Sequence, residues 1–338
     1  MTERHALSIA FLTRTGWGDA ERRFLAGDAS DRSYDRLTKG AETAVLMDAP
    51  PGKGDDPEVF LQVAAHLQQL GLSAPRCLAQ DLAHGFLLLE DFGDGSFARL
   101  VAADPAREMP LYQGATDVLC ALQRQAPMAG LGNLSAADWA EAGCFALDWY
   151  RKAAIGAEGD RAGFRAGFRA ALEDVMAAHA DGPRVMILRD YHAENLLWLS
   201  DREGIARVGV LDFQLAQMGQ PGYDLVSLLQ DARRDVSLET EAAMIRRFKD
   251  TMGADAGFDA AYAVLGAQRA LRILGIFTRL CRVSGKPGYL RLIPRVWGQL
   301  QRNLTHPATA PLARLCRELL PEPTPQVLSF IGDSCLSP

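Results

Sequence analysis

The stretch LRDYHAENLL, residues 188–197, places an arginine, two acids, a histidine and an asparagine between the apolar runs VMI and LWL. Apolar runs this short, bounded by polar clusters, predict strands at 185–188 and 196–199, with a third in ARVGVLDF (206–213). Burying a strand pair around five hydrogen-bonding side chains is costly unless those groups have partners or a task. The fold must therefore bring three short strands together around a polar loop, inside a region whose neighbours all read as helix.

Those neighbours are helical by period and breaker placement over 96–102, 109–125, 136–153, 160–179, 223–234, 238–252, 257–283 and 288–302. The tail from 305, with many prolines, is expected to wrap the surface. The first ~93 residues, by contrast, read as a helix at 2–15 and two or three strands in 22–51. A helix over 57–70 and two strands in PRCLAQDL and GFLLLEDF follow. The expectation is an α+β architecture of a small β-rich lobe (1–93) joined near 90–95 to a larger helical lobe (94–338).

Size agrees, since 338 residues suggest about two domains at ~150 residues each, and 48% hydrophobic residues supply a sizeable core. The net charge of −6 comes from 42 acidic and 36 basic residues without long blocks of either sign, so no nucleic-acid partner is expected. Neither a cleavable leader nor a run of ~20 apolar residues is evident, and a soluble cytoplasmic protein is expected. The six cysteines show no CxxC pair and are expected to be reduced thiols, Cys335 the most exposed.

Asp190, Asn195 and Asp212 form the chemical constellation. Asn195 lies five positions after Asp190, and Asp212 lies 212 − 190 = 22 positions after it, at the end of VGVLD. A hairpin turning in SDREG (200–204) returns Asp212 toward the 190–195 loop. Phosphoryl transfer needs such a set: a carboxylate to orient an attacking hydroxyl and take its proton, and a carboxylate plus an amide oxygen to hold Mg²⁺ on nucleotide phosphates. The plainer reading of any one of them is a turn cap.

RDYHAEN with LDFQ resembles the catalytic and metal loops of the protein-kinase-like fold. More closely it resembles the aminoglycoside phosphotransferase family of small-molecule kinases, with its H-x-D-x-H-x-x-N motif followed by a metal-binding Asp. Leu188 stands where that family often has His, while Asp190, His192 and Asn195 match. Within the family, GDASDRSY, VLMDAPP, LRDYHAENLLWL, GVLDFQLAQMGQPGYDLVSLLQDARRDV and QRALRILGIFTRL resemble the bacterial N-acetylmuramate/N-acetylglucosamine kinases of cell-wall recycling. The resemblance implies an ATP- and Mg²⁺-dependent kinase that phosphorylates a small amino sugar at its anomeric hydroxyl. It implies Asp190 as catalytic base and Asn195 and Asp212 as metal ligands. Adenine would be read by the backbone of Glu90, Asp91 and Phe92, and the phosphates covered by the loop of Gly27, Asp28, Ala29 and Ser30.

One departure is marked. Met47 or a neighbour stands where the fold usually has a phosphate-contacting Lys, so either another cation, sought in Arg32, Arg36 or Lys39, contacts the phosphates or Mg²⁺ carries more of the charge. His192 is expected to orient the loop, and Arg189 to neutralise acids or touch phosphate or substrate. Gln214 stands where protein kinases have Gly, and Asp224 either caps its helix or supports the catalytic loop. Arg269 and Arg272 are expected to snorkel from a core helix, with one of them a candidate for the sugar. Trp139, Trp149 and Tyr150 are expected in the core rather than against a sugar face. The competing readings are a kinase of another small alcohol (aminoglycoside, choline or homoserine), a non-catalytic nucleotide-binding module, and a transition-metal site at Asp190, His192 and Glu194.

Overall fold

The computed structural model describes residues 3–27, 32–54, 56–156 and 163–335. In chain order the elements are α1 (Glu3–Arg14), β1 (Glu21–Gly27), β2 (Ser33–Lys39), β3 (Glu42–Asp48), α2 (Pro57–Gln69), β4 (Cys77–Asp81), β5 (Phe86–Glu90), α3 (Phe97–Ala103) and α4 (Glu108–Gln123). Then come α5 (Ala136–Gly143), α6 (Lys152–Ile155), α7 (Phe164–His179), β6 (Val185–Ile187), β7 (Leu196–Trp198), β8 (Val208–Val210) and β9 (Gln217–Gly219). The chain closes with α8 (Tyr223–Leu229), α9 (Leu238–Met252), α10 (Phe258–Ser284), α11 (Ile293–Asn303), α12 (Ala310–Leu319) and α13 (Pro325–Asp333).

Two compact units result, one from residues 1–128 with 193–216 and the other from 129–192 with 217–338. The expected boundary at 93 marks the change from strand to helix, whereas the compact units carry α3, α4 and the β7–β8 hairpin with the sheet.

The first unit holds an antiparallel sheet in the order β1-β2-β3-β5-β4. Its central strands β3 and β5 are nearly continuous apolar runs because both faces are covered. On one face Leu37, Ala44, Leu46, Phe86 and Leu88 pack against Phe11 and Leu12 of α1. Asp56 caps α2 by accepting from the Glu58 N–H, with Pro57 in the first turn. Leu67 of α2 is fully buried, and Phe60 stacks on Phe213 at 4.8 Å between ring centroids. The β7–β8 hairpin is tied in by the Val210 N–H donating to Ser73 O at 2.8 Å.

The second unit is helical and centred on α10, which ends at Gly285 in the left-handed region. By length and composition α10 is apolar enough to cross a membrane, yet 78% of its apolar window is buried within the protein, the character of a core helix. Two glycines let neighbours approach it: a Cβ at Gly275 would lie 2.3 Å from Phe145 O, and one at Gly266 would lie 2.4 Å from Asn303 Nδ2.

Several element boundaries differ from expectation. The helix expected over 136–153 is broken, α5 ending at Gly143 and a wide π turn following at 146–151. The glycines at 143 and 275 leave no room for a Cβ beside Leu172 and Phe145, so the chain is closely packed on both sides of this turn. Residues 157–162, where the next helix was expected to start, lie outside the described residues. Helix α8 stops at Leu229 instead of 234, and beyond it Asp231 accepts the Arg233 N–H in a local turn. The strand expected over 206–213 is a 3₁₀ turn (204–207) and then β8, so Asp212 falls two residues beyond the strand rather than closing it. The Pro-rich tail forms α12 and α13 instead of an irregular wrap, with Pro311 and Pro325 in their first turns. Cys281 is paired with Cys335 in a disulfide, correcting the expectation of six reduced thiols; Cys77 is exposed, and Cys120, Cys144 and Cys316 are buried.

Candidate functional site

In the first unit, the hairpin sets the geometry around Asp212. Leu196 pairs with Val210, and the Leu211 N–H donates to Asn195 O at 2.9 Å, which fixes 195 beside 212 as the loop spacing required. Asn195 Nδ2 lies 3.4 Å from Asp212 Oδ2. The other oxygen, Oδ1, accepts from Gln214 Nε2 at 2.8 Å and faces Arg32 Nη2 at 3.4 Å. Gln214 thus orients the Asp212 carboxylate. Asp212 itself has φ +56°, a left-handed conformation that Asp and Asn tolerate better than most side chains.

The Asn195 amide turns its nitrogen toward Asp212, and its oxygen together with the Asp212 carboxylate would make a donor set that Mg²⁺ takes, since that ion prefers oxygen ligands and completes its shell with water and substrate phosphates. Among the described residues no group of three or more His, Cys, Asp and Glu side chains converges as a metal cage. The chemistry of Asn195 and Asp212, an amide and a carboxylate, suits Mg²⁺.

Of the three candidates for the missing lysine, Arg36 is held by Asp91 at 2.7 Å and Asp94 at 2.9 Å. Lys39 bonds Gly16 O and Asp19 on an exposed hairpin. Arg32 is 4% exposed and alone of the three reaches Asp212. Met47 is fully buried in the core. At the expected hinge, the Glu90 carboxylate accepts from Arg202 Nη2 at 2.6 Å and Arg76 Nε at 3.1 Å, and Asp91 accepts the Gly93 N–H. Arg202 lies over the Phe92 ring at 5.1 Å. The hinge side chains are thus engaged structurally, which is compatible with a backbone role only. Gly27 ends β1; Asp28, Ala29 and Ser30 lie outside the described residues.

In the second unit, the loop after β6 is anchored from below. Asp224, fully buried, accepts the Leu188 N–H at 2.6 Å and the Arg189 N–H at 2.8 Å. The helix cap position of α8 is Gly222, without a side-chain cap, so of the two expected roles for Asp224 the structure places it in loop support. Because that support is made to backbone, a leucine at 188 does not break it. Ser227 Oγ adds a bond to Arg189 O at 3.2 Å. Arg189 has φ +72°; it and Asp212 are the only non-glycine residues with positive φ among the described residues, one preceding the candidate base and the other a candidate metal ligand.

Burial pushes the Asp224 carboxyl up to about 7 from the ordinary 3.8, against the two backbone N–H bonds, with Asp190 raising it and Arg269 lowering it. The raised value means that between about pH 4 and pH 7 the folded protein holds a proton the unfolded chain releases. Its contribution to stability therefore falls as pH rises through that window, by up to about 4 kcal/mol, and is constant above it. The urea midpoint of the wild type relative to Asp224→Asn is expected to be lower at pH 8 than at pH 5; an equal difference at both would contradict this.

His192 is 5% exposed and its Nε2 faces Arg233 Nη1 at 3.2 Å, so Nε2 is the acceptor and the proton resides on Nδ1. Burial, Arg233 and Arg269 together hold it neutral, its pKa well below 6.5. A neutral imidazole whose Nε2 faces a guanidinium is not placed to ligate a transition metal through that atom. Arg233 is a partner that the sequence reading missed.

Arg269 departs from the expected snorkelling: it is 7% exposed and bonds Ser227 Oγ at 2.8 Å and Gln230 O at 3.4 Å. Arg272 donates to the Tyr223 hydroxyl at 3.3 Å. Trp139 and Tyr150 are buried as expected, and the Tyr150 hydroxyl donates to Pro321 O at 2.7 Å; Trp149 lies under Arg279. The short strand β9 was also missed, its QMG composition carrying no apolar alternation. It pairs with β6, Ile187 opposite Gln217, and Arg189 Nη1 reaches Gln217 Oε1 at 3.3 Å.

Comparison with known proteins agrees with this arrangement. The APH phosphotransferase enzyme family matches residues 21–274. An N-acetylmuramate/N-acetylglucosamine kinase of Caulobacter vibrioides is 38% identical over 355 residues, covering 92% of this chain and 95% of the relative. A protein of the same name from Pseudomonas aeruginosa is 36% identical, covering 90% and 91%. The crystal structure of a choline/ethanolamine kinase family protein from Mesorhizobium loti superposes with a TM-score of 0.62 at 16% identity, covering 93% of this chain and 99% of that one, which bears out the α+β protein-kinase-like fold. With three quarters of its length inside the family's span and Asp190, Asn195 and Asp212 all present, the chain belongs to the APH phosphotransferase enzyme family.

Proposed function

We propose that this phosphotransferase is an ATP- and Mg²⁺-dependent kinase of N-acetylmuramate and/or N-acetylglucosamine, acting on the anomeric hydroxyl in the cytoplasm. The observation that carries the reading is identity of 36–38% over at least nine tenths of the chain to relatives bearing that name.

In this reading residues 1–93 bind the nucleotide, adenine against the backbone of 90–92 and the phosphates against the loop from Gly27 through Ser30. Asn195 and Asp212 hold Mg²⁺, which when bound neutralises charge on the phosphates. Gln214 keeps the Asp212 carboxylate turned, and Arg32 supplies the cation that the core residue Met47 cannot. Asp190 accepts a hydrogen bond from the anomeric hydroxyl, orients its oxygen toward the γ-phosphorus and takes its proton as the O–P bond forms and ADP departs. Asp224, clamping the two preceding amides, keeps the Asp190 backbone in place.

Incubation with Mg-ATP and each sugar tests it. The expected product is an acid-labile sugar 1-phosphate formed in step with ADP; an acid-stable 6-phosphate, or ADP release only with other alcohols, would overturn the assignment.

A further inference from the structure

In the unit formed by 129–192 and 217–338, several buried polar atoms have no hydrogen-bond partner among the described residues. Gln220 is 1% exposed and both ends of its side-chain amide are unpartnered, so the conclusion does not depend on which way that amide is turned. Gln217 is 7% exposed with Nε2 unpartnered, and Trp139 is 1% exposed with its indole Nε1 unpartnered. Each such atom costs about 1–3 kcal/mol when nothing satisfies it, so native proteins retain few without a reason.

These residues are linked by contacts. Gln217 Oε1 faces Arg189, the residue preceding Asp190. Gln220 lies three positions on, and its carbonyl accepts the Tyr223 N–H at 3.0 Å. The Tyr223 ring packs on Trp139 with centroids 4.7 Å apart. Along this path the open groups are three neutral donors, Gln217 Nε2, Gln220 Nε2 and Trp139 Nε1, one charged donor, Arg189 Nε at its Asp190 end, and one neutral acceptor, Gln220 Oε1. A set of neutral donors with one acceptor matches a secondary amide, whose carbonyl takes donors and whose N–H gives one bond. It suits a charged amine poorly, because no acid belongs to it.

We propose that Gln220, with Gln217 and Trp139, receives the acetamido group of the acceptor sugar and so sets the preference for N-acetylated over free amino sugars. This rests on the amino-sugar reading above and deepens it. A site built this way rejects a ligand lacking the group by leaving its own buried polar atoms unpaired.

Calorimetric titration of N-acetylglucosamine and of glucosamine into wild type and Gln220→Leu tests it. The wild type is expected to bind the acetylated sugar more tightly. The variant is expected to lose about tenfold or more in affinity for it, with glucosamine binding and the KM for ATP within twofold of wild type. An acetyl preference that survives in Gln220→Leu within twofold, or an equal loss for both sugars, overturns the proposal. If the leucine variant does not fold, Trp139→Phe carries the same comparison, with an expected selective loss for the acetylated sugar. A wild type that binds neither sugar refutes the amino-sugar reading itself, an outcome distinct from an unchanged preference in the variants.

Discussion

Replacing Asp190 by Asn is expected to lower kcat by about 10²–10⁴-fold while leaving ATP affinity within twofold, the span that a positioned general base contributes. The substitution is isosteric. The loop's support is made through the backbone amides of Leu188 and Arg189 to Asp224, and the Asp190 N–H donates to Leu188 O at 2.9 Å, so none of the anchoring bonds uses the carboxylate that is changed. An amide at 190 still donates and accepts hydrogen bonds but cannot take the hydroxyl proton. Steady-state kinetics with nucleotide titration separates the two quantities. Turnover within threefold of wild type would remove Asp190 from the chemistry and place the general base elsewhere; a wild type that binds Mg-ATP but releases no ADP with any acceptor would instead favour a nucleotide-binding module.

Asp212→Asn is expected to cost about 10²–10³-fold in kcat at ordinary Mg²⁺ concentrations, comparable to losing one electrostatic stabiliser of a developing charge. Part of the activity should return as Mg²⁺ is raised. Asn is the appropriate replacement because position 212 has φ +56°, which Asn tolerates and Ala does not. The local consequences are readable from the contacts. An Asn at 212 keeps one oxygen for Gln214 and Arg32 but turns an N–H₂ toward Asn195 Nδ2, 3.4 Å from the present oxygen, so a donor meets a donor. The Mg²⁺ dependence of the rate is the informative measurement: a variant with unaltered Mg²⁺ requirement would exclude Asp212 as a ligand.

The strain pattern bears on both expectations. Left-handed backbone at Arg189 and Asp212 costs about 1–3 kcal/mol each and persists only where surrounding contacts over-determine it. At 189 those contacts are the Asp224 carboxylate and Ser227 Oγ; at 212 they are Gln214, Arg32 and the hairpin register. At both positions the backbone conformation is set by hydrogen-bonded neighbours, beside the candidate base Asp190 in one case and at the candidate metal ligand Asp212 in the other.

Local pattern carried much of this protein. Alternation and breaker residues located β1 to β5, period located α1, α2, α9 and α10, and the turn chemistry of 200–204 with two apolar runs placed Asn195 beside Asp212. The motif spacing singled out Asp190, Asn195 and Asp212 as candidates, and the hairpin register, a local feature, brings Asn195 beside Asp212. What the sequence did not reveal depends on distant partners. The clamp of Asp224 on an amide 36 positions earlier, Arg32 reaching 180 positions to Asp212, and Arg233 on His192 leave no periodic trace. Neither do the Cys281–Cys335 pairing, the π turn at 146–151, nor β9, a three-residue strand with no apolar alternation. Periodicity reports which face of an element is buried; which buried polar groups find one another is decided only when the chain is packed, because hydrogen bonds are satisfied in space and not along the sequence.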